Sequence, residues 1–354
     1  MTDAFLPISL HASALPAPQR EGLQAALRAR RLPGALLYQS PAQAQRWLDY
    51  HAAWSPSRTD AGLRALYDEA FRVAATALHG GPQGRSPRGA GPSGVTVERP
   101  ALLLGVGCGG GSKDADLLRR LADAGPGRPL AYVPLDASAP LVAEAALQAR
   151  RRCPAARLHP LVADVAAAPA LGAWLDAAAP GAARLLSAIG MLPNQDVHTF
   201  PAWLAGLLRP GDAILISANL SPDGLDPDGP RILRQYDNPP ARDWYTGALA
   251  ELGLPGDLYT LDVVARPLPE RLPAAIAPGA AWQIAAQAVL HGPLRLAVYG
   301  QPLTFPAGTR LTVFETLRFT ADAAATLLEA AGLHVTQRWI GGADEEGLFL
   351  CAKG

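Results

Sequence analysis

Between Ala101 and Asn219 short apolar runs alternate with amphipathic helical stretches, and this alternation constrains the fold more than any other feature. The runs Ala101–Val106, Leu130–Leu135, Arg157–Ala163, Arg184–Ile189 and Asp212–Asn219 read as strands. The intervening stretches Lys113–Ala124 (closed by Gly125), Ala139–Arg151, Leu171–Ala178 and Phe200–Leu208 repeat apolar residues every three or four positions and read as helices. Strands separated by helices cannot pair as hairpins, so they form a mostly parallel sheet covered on both faces.

Two further elements complete that sheet. Ala321–Ala331 is predicted as a helix, and His334–Trp339 with Gly347–Ala352 as a hairpin that places an antiparallel strand in it. Upstream, Thr59-Asp60 starts a helix whose apolar positions, Leu63, Leu66, Ala70, Val73, Ala74 and Ala77, share one face. The stretch Gly80–Pro100, GGPQGRSPRGAGPSGVTVERP, holds too little apolar surface to order itself and reads as a flexible excursion. Between 220 and 319 the alternation fails, proline is dense, and Trp282–Val289 and Leu294–Val298 suggest an antiparallel sheet. The expected division is a domain of 61–219 with 320–354, and an accessory domain of 1–60 with the insertion 220–319.

Composition excludes several functions. Thirty-one basic and 31 acidic residues give no net charge, against the basic excess of most nucleic-acid proteins. No apolar run is long enough to span a membrane, and MTDAFLPISLHASALP lacks the basic start and apolar core of a secretion signal. Cys108, Cys153 and Cys351 are scattered, without metal-ligand spacing, and the seven histidines form no cluster. A cytoplasmic chain acting on a small molecule, without metal, membrane or nucleic acid and as a monomer, is expected. Lys113 and Lys353 are the only lysines among the 31 basic residues, and Asn194, Asn219 and Asn238 the only asparagines. This skew fits a GC-rich coding bias, so a lysine or asparagine marks a position the background disfavoured.

The sharpest local signal is Gly105-Val-Gly-Cys-Gly-Gly-Gly111-Ser-Lys-Asp114, at the end of the first apolar strand. Glycines let the backbone turn tightly and approach a ligand, and Asp114 and Asp116 suit the positive end of the following helix. Gly105-x-Gly107-x-x-Gly110 also satisfies the NAD fingerprint. Asp136 ends the second strand, where an acid can hold both ribose hydroxyls, and Asp164 ends the third, where it can meet an adenine edge. The third acid and the terminal hairpin favour S-adenosylmethionine over NAD.

GCGGGSKD, AYVPLDASAPLVAEAA and LHPLVADV together resemble the histidine-specific methyltransferase family, whose best-known member makes hercynine. Weaker similarity extends to Leu36-Leu-Tyr38, to Trp54-Ser-Pro-Ser-Arg-Thr-Asp60 and to Gln235-Tyr-Asp-Asn238. The resemblance implies a class I S-adenosylmethionine methyltransferase: an α/β, Rossmann-like, doubly wound seven-stranded sheet with an inserted α+β accessory domain. It implies a cofactor site at Gly107, Gly109, Lys113, Asp136, Ser138, Asp164, Val165 and Gly190, with Lys113 neutralising the cofactor carboxylate. Substrate residues would be Tyr38, Trp54, Asn194, Tyr236, Glu315 and Thr316, with Tyr38, Asn194 and Tyr236 nearest the chemistry.

The family's substrate asparagine follows its fourth strand directly, whereas here Ala188-Ile-Gly-Met-Leu-Pro-Asn194 delays it. Aligned on Arg318-Phe319, Phe314 stands where the family's substrate glutamate belongs and Glu315 is one residue out of phase, which in a strand means the opposite face. The expectation is a retained cofactor site with an altered acceptor pocket. N-methylation of an amino acid or a derived natural-product intermediate follows, with histidine itself in doubt. A catalytically silent methyltransferase-like scaffold is the alternative.

Overall fold

The structure is a computed structural model describing residues 6–80, 99–221, 230–268, 272, 276–277, 279–341 and 344–354. Most of the predicted Gly/Pro excursion (81–98) and parts of the proline-dense insertion therefore lie outside the described residues. The chain begins with β1 (Ser9–Leu10), α1 (Pro16–Arg28), α2 (Pro41–Trp54), α3 (Pro56–Thr59) and α4 (Ala61–Gly80). The alternating region follows as β2 (Ala101–Val106), α5 (Ser112–Ala124), β3 (Leu130–Asp136), α6 (Ala139–Arg152), β4 (Arg157–Leu158) and β5 (Leu161–Val162). It continues through α7 (Gly172–Ala178), β6 (Ala183–Ala188), α8 (Thr199–Leu207) and β7 (Ala213–Asn219). The insertion holds α9 (Pro230–Tyr236), α10 (Pro239–Glu251), β8 (Tyr259–Pro267), β9 (Ala281–Leu290), β10 (Leu294–Val298), β11 (Gln301–Phe305) and β12 (Arg310–Phe319). The last elements are α11 (Ala321–Ala330), β13 (Leu333–Gly341) and β14 (Glu346–Lys353).

Local chemistry explains many of these boundaries. Asn238 accepts from the Ala241 amide ahead of Pro239-Pro240, Ser40 from Gln43 ahead of Pro41, and Thr320 from Ala323. Each side chain satisfies an amide that has no partner inside its helix, and proline at the first helical position sacrifices none.

The central sheet runs β1-β5-β3-β2-β6-β7-β14-β13, with β4 also on β3. All neighbours are parallel except β14, which is antiparallel to both β7 and β13. This is the strand order of a class I methyltransferase, and every expected strand is in it. Two details differ from the seven-stranded expectation. The predicted third strand is divided into β4 and β5, because Pro160 offers no amide while His159 donates to the Tyr132 carbonyl (2.9 Å). In addition, β1 pairs in parallel with β5, so the segment before residue 60 adds an edge strand to the cofactor-type sheet. Every residue of β2 and β6 is buried, as expected of strands covered on both faces.

In the insertion the two predicted strands belong to different sheets. β9 lies between β12 and β8, so both its edges are taken. β10 pairs instead with β11 across Tyr299-Gly300, whose φ angles of 50° and 78° suit a tight two-residue hairpin turn. A second apolar core, including Trp244, Tyr245, Leu27 and Leu37, joins this layer to α1, α2 and α10.

Candidate functional site

A cavity of about 900 Å³ opens at the carboxyl ends of β2, β3, β5 and β6 and extends to the edge of β12. Openings of this size at the ends of parallel strands are where such sheets hold ligands. Of the cofactor positions argued from sequence, Gly107, Gly109, Lys113, Asp136, Asp164, Val165 and Gly190 line it. So do the acceptor candidates Tyr38, Trp54, Asn194, Tyr236, Glu315 and Thr316.

The glycine loop turns through left-handed backbone at Gly107, Gly109 and Gly111 (φ 64°, 50° and 72°). Asp136 reaches across to it: one carboxylate oxygen accepts from the Gly109 amide (3.1 Å) and the other from the Ser138 amide (2.9 Å). Burial outweighs these bonds and pushes the carboxyl up to about 6. Beneath the loop, Asp114 accepts from Tyr132 (2.8 Å) and Ser187 (2.6 Å), and burial likewise raises it to about 6. A Cβ on Gly105 would fall 1.9 Å from the Asp114 carboxylate, so glycine there is required by the floor of the site. The Asp164 carboxylate accepts from the Ala166 amide (2.9 Å) at the cavity wall.

Several predicted residues carry additional bonds. Lys113 donates to the Tyr67 hydroxyl (3.1 Å), its ammonium lies 4.0 Å from Glu346, and burial depresses its pKa. The Ser138 hydroxyl donates to the Tyr38 carbonyl (2.6 Å) and accepts from Leu141, and Ser138 is not among the lining residues. Asn194 donates to the Gly190 carbonyl (2.8 Å), closing the turn after β6. Cys108 is half-buried in the cavity wall, and desolvation pushes its thiol well above its ordinary pKa, in keeping with a filler and not a nucleophile.

At the far end, aromatic rings from four elements meet. Tyr38 lies edge-on to Trp47 (5.8 Å between centroids) and 5.4 Å from Trp244. Tyr236 stacks on Phe314 (6.3 Å), and the Arg318 guanidinium lies 5.5 Å from the Tyr236 ring centroid. Phe314, Thr316 and Arg318 alternate onto one face of β12, so Thr316 lies between two neighbours of that ring. Thr316 is 1% exposed, and its hydroxyl has no partner among the described residues.

Glu315 does reach the cavity, for a reason the sequence did not reveal. Glu315 keeps the face opposite Phe314, Thr316 and Arg318, as its phase in the sequence implies, and a bulge between Thr312 and Phe314 puts Thr312 on that same face: the two stand opposite Gln287 and Ala285, two positions apart on β9. Moreover, β12 is the outer strand of its sheet, so both of its faces reach the cavity. There Glu315 pairs with Arg31 and accepts from Gln283 (2.6 Å).

Sequence reasoning did not find Arg31, Trp47, Met191, Asn219 or Gln283, all of which line the cavity. Trp47 and Met191 cover the glycine loop: a Cβ on Gly109 would lie 2.6 Å from Trp47, and one on Gly107 1.9 Å from the Met191 sulfur. Asn219, at the end of β7, donates to the Tyr236 hydroxyl (3.4 Å). Its rarity in this chain was a usable signal, since the background disfavours asparagine. Among the described residues no group of three or more His, Cys, Asp or Glu could hold a metal ion, and no helix is long and apolar enough to cross a membrane.

Residues 94–239 match the family described as histidine-specific, SAM-dependent methyltransferases. The histidine N-alpha-methyltransferase of Mycobacterium tuberculosis (strain CDC 1551 / Oshkosh) is 28% identical over 267 residues, covering 72% of this chain and 76% of that protein. Among solved structures, magnesium protoporphyrin IX methyltransferase from Synechocystis PCC 6803 is 11% identical with a TM-score of 0.39, over 89% of this chain and 95% of that one. The amino pentose methyltransferase CalS10 from Micromonospora echinaspora is 16% identical with a TM-score of 0.36, over 86% and 97%. Structural likenesses this distant have no bearing on substrate.

Proposed function

We propose that this chain, a SAM-dependent methyltransferase similar to the histidine-specific family, methylates the nitrogen of an amino acid or of a metabolite derived from one. The supporting observation is the single cavity that joins the glycine loop, Asp136 and Asp164 to Tyr38, Tyr236 and Glu315. The residues present suit the cofactor. Asp136 would hold the ribose hydroxyls, Asp164 with Val165 the adenine edge, and Gly107, Gly109 and Gly190 would admit its backbone-hugging parts. Lys113, and beside it Arg58, would face its carboxylate; Arg58 donates to Ser112 (2.5 Å) at the start of α5.

When bound, S-adenosylmethionine supplies an electrophilic sulfonium methyl. The chain's own residues then have to hold an amine in line and exclude water. Tyr38, Tyr236 and Asn194, which line the cavity with Trp54, would orient that amine. Burial raises the Tyr38 phenol far above its ordinary range, so it stays protonated and directs the acceptor without removing its proton. Thr316, buried with an unpartnered hydroxyl, is a natural anchor for a polar group of the acceptor. Histidine remains within the acceptor class, although Phe314 and Met191 make the walls more apolar. We assign residues 61–219 and 320–354 to cofactor binding and 1–60 with 220–319 to the acceptor, with Arg58 and Trp47 of the first segment also reaching the cofactor loop, in a cytoplasmic monomer that needs no nucleic acid.

Two measurements test this. Calorimetry with S-adenosylmethionine, S-adenosylhomocysteine and NAD should give micromolar binding of the sulfur compounds and none of NAD; failure of both sulfur compounds to bind ends the proposal. Labelled cofactor incubated with the twenty amino acids should then yield a labelled N-methyl product.

The affinity should also depend on pH. Ribose hydroxyls favour the ionised Asp136, whose carboxyl is raised to about 6 in the free protein. Binding is therefore fully supported above pH 7 and lost as pH falls through 6, by about tenfold per unit below it. Titrating S-adenosylhomocysteine from pH 8 to 5 checks this, and Asp136→Asn should flatten the profile; a slope that survives the substitution assigns it to another group.

A further inference from the structure

We propose that Arg31 selects the acceptor: by holding the Glu315 carboxylate it leaves the acceptor end of the cavity without a free acid, so aromatic uncharged amino acids are preferred over basic ones. This rests on the amino-acid reading above. Arg31 is placed by its main chain. Helix α1 closes with Arg30 in the left-handed region (φ 57°), the Arg30 amide on Leu27 and the Arg31 amide on Ala26 (2.9 Å each). That closure is the common helix end that reverses chain direction. The next bonds, Leu32 to the Thr312 carbonyl (2.8 Å) and Thr312 to the Arg30 carbonyl (2.9 Å), add this short piece to the outer edge of β12. The Arg31 guanidinium thus arrives beside Glu315, three residues further along the strand, and pairs with it while Gln283 donates from the other side.

The remaining acids that line the cavity are engaged as well. Asp114 and Asp136 hold the loop, and Asp164 accepts from Ala166. Asp196 accepts from the Thr199 amide (2.9 Å) at the start of α8, and Glu346 accepts from Tyr67 near Lys113. A basic side chain, or an imidazole that must donate, would have to displace Arg31 to reach Glu315, the acid on β12. An aromatic ring needs no charge and meets Tyr38, Trp244, Tyr236 and Phe314, which favour edge and offset ring contacts.

The test is competition. Equal concentrations of L-histidine, L-lysine, L-phenylalanine and L-tryptophan are offered with S-adenosylmethionine to the full chain, to Arg31→Met and to Arg31→Met/Glu315→Gln, and N-methyl products are read by mass spectrometry. Methionine keeps the alkyl stem and leaves the backbone pairing untouched. The wild type should favour the aromatic pair, and Arg31→Met should move the product ratio toward histidine and lysine by at least about tenfold, the scale of one charged hydrogen bond. The double variant should return to the aromatic preference. A ratio that stays within about twofold, or equal loss for all four acceptors, overturns the role of Arg31 while leaving amino-acid methylation standing. No transfer to any amino acid, with S-adenosylhomocysteine still bound, overturns both.

Discussion

Asp136→Asn is expected to weaken S-adenosylmethionine binding by ~10²–10⁴-fold, because two charge-assisted hydrogen bonds of ~1.5–3 kcal/mol each are lost at once. The amide keeps the shape of the carboxyl but not its acceptor capacity. Both carboxylate oxygens already face backbone amides, of Gly109 and Ser138, so whichever side receives the NH₂ sets donor against donor. The same substitution should leave thermal stability nearly unchanged, because relief of a buried charge offsets the donor-against-donor contact. A carboxyl raised to about 6 is a charge that burial opposes, and removing it relieves the apo protein. Calorimetric titration with S-adenosylhomocysteine and a melting curve give the two numbers together. A loss of affinity below about fivefold would remove Asp136 from the cofactor site, and a fall in both would make it a structural residue.

The largest effect on folding is expected at Gly111. This residue precedes α5 with φ 72°, and a Cβ there would lie 2.4 Å from the Cα of Ala145 on α6. Backbone cannot swing aside as a side-chain tip can. Gly111→Ala should therefore cost ~2–4 kcal/mol, the sum of ~1 kcal/mol for left-handed backbone and 1–3 kcal/mol for overpacking. Gly127→Ala isolates the two contributions: its φ is 82°, and a methyl group added there would meet nothing within 4 Å. That variant should lose only about 1 kcal/mol in urea unfolding. Equal losses at the two positions would show that α5 and α6 can part, and that their contact behind the loop is not tight.

The cofactor half was readable from sequence because its signals are local and repeated. Strand and helix periods, the glycine loop and acids at successive strand ends need no knowledge of distant chain. Pro160, visible in the sequence, divided a strand that its apolar content had suggested was whole. The two residues of β1 are too few to show any period, and their partner lies in β5. The acceptor end was less legible for a different reason. Glu315 is out of phase with Phe314 as the sequence implies, and only pairing with β9 reveals the bulge that brings Thr312 onto its face. Its partner Arg31 is 284 positions away in the chain. Among the rare asparagines, Asn194 closes a turn and Asn238 caps α10, whereas Asn219, placed at the end of β7, bonds Tyr236 inside the cavity.

The first sixty residues touch every part of the site. β1 lies beside β5, and Ser13 accepts the Asp164 amide (2.9 Å). α2 sets Trp47 and Leu48 against Gly109 and Gly110, and Arg31 meets β12. These partners emerge from the ribosome long after the segment itself, β12 last of all at residues 310–319. At ~5–20 residues per second the segment waits on the order of tens of seconds for its final partner. During that interval the buried residues of α1, Leu23 and Leu27, lack the insertion core that covers them. The arrangement that closes the cavity thus makes the earliest part of the chain the last to find its place, and the nascent protein's exposure to misassociation is set by the time needed to synthesise the insertion.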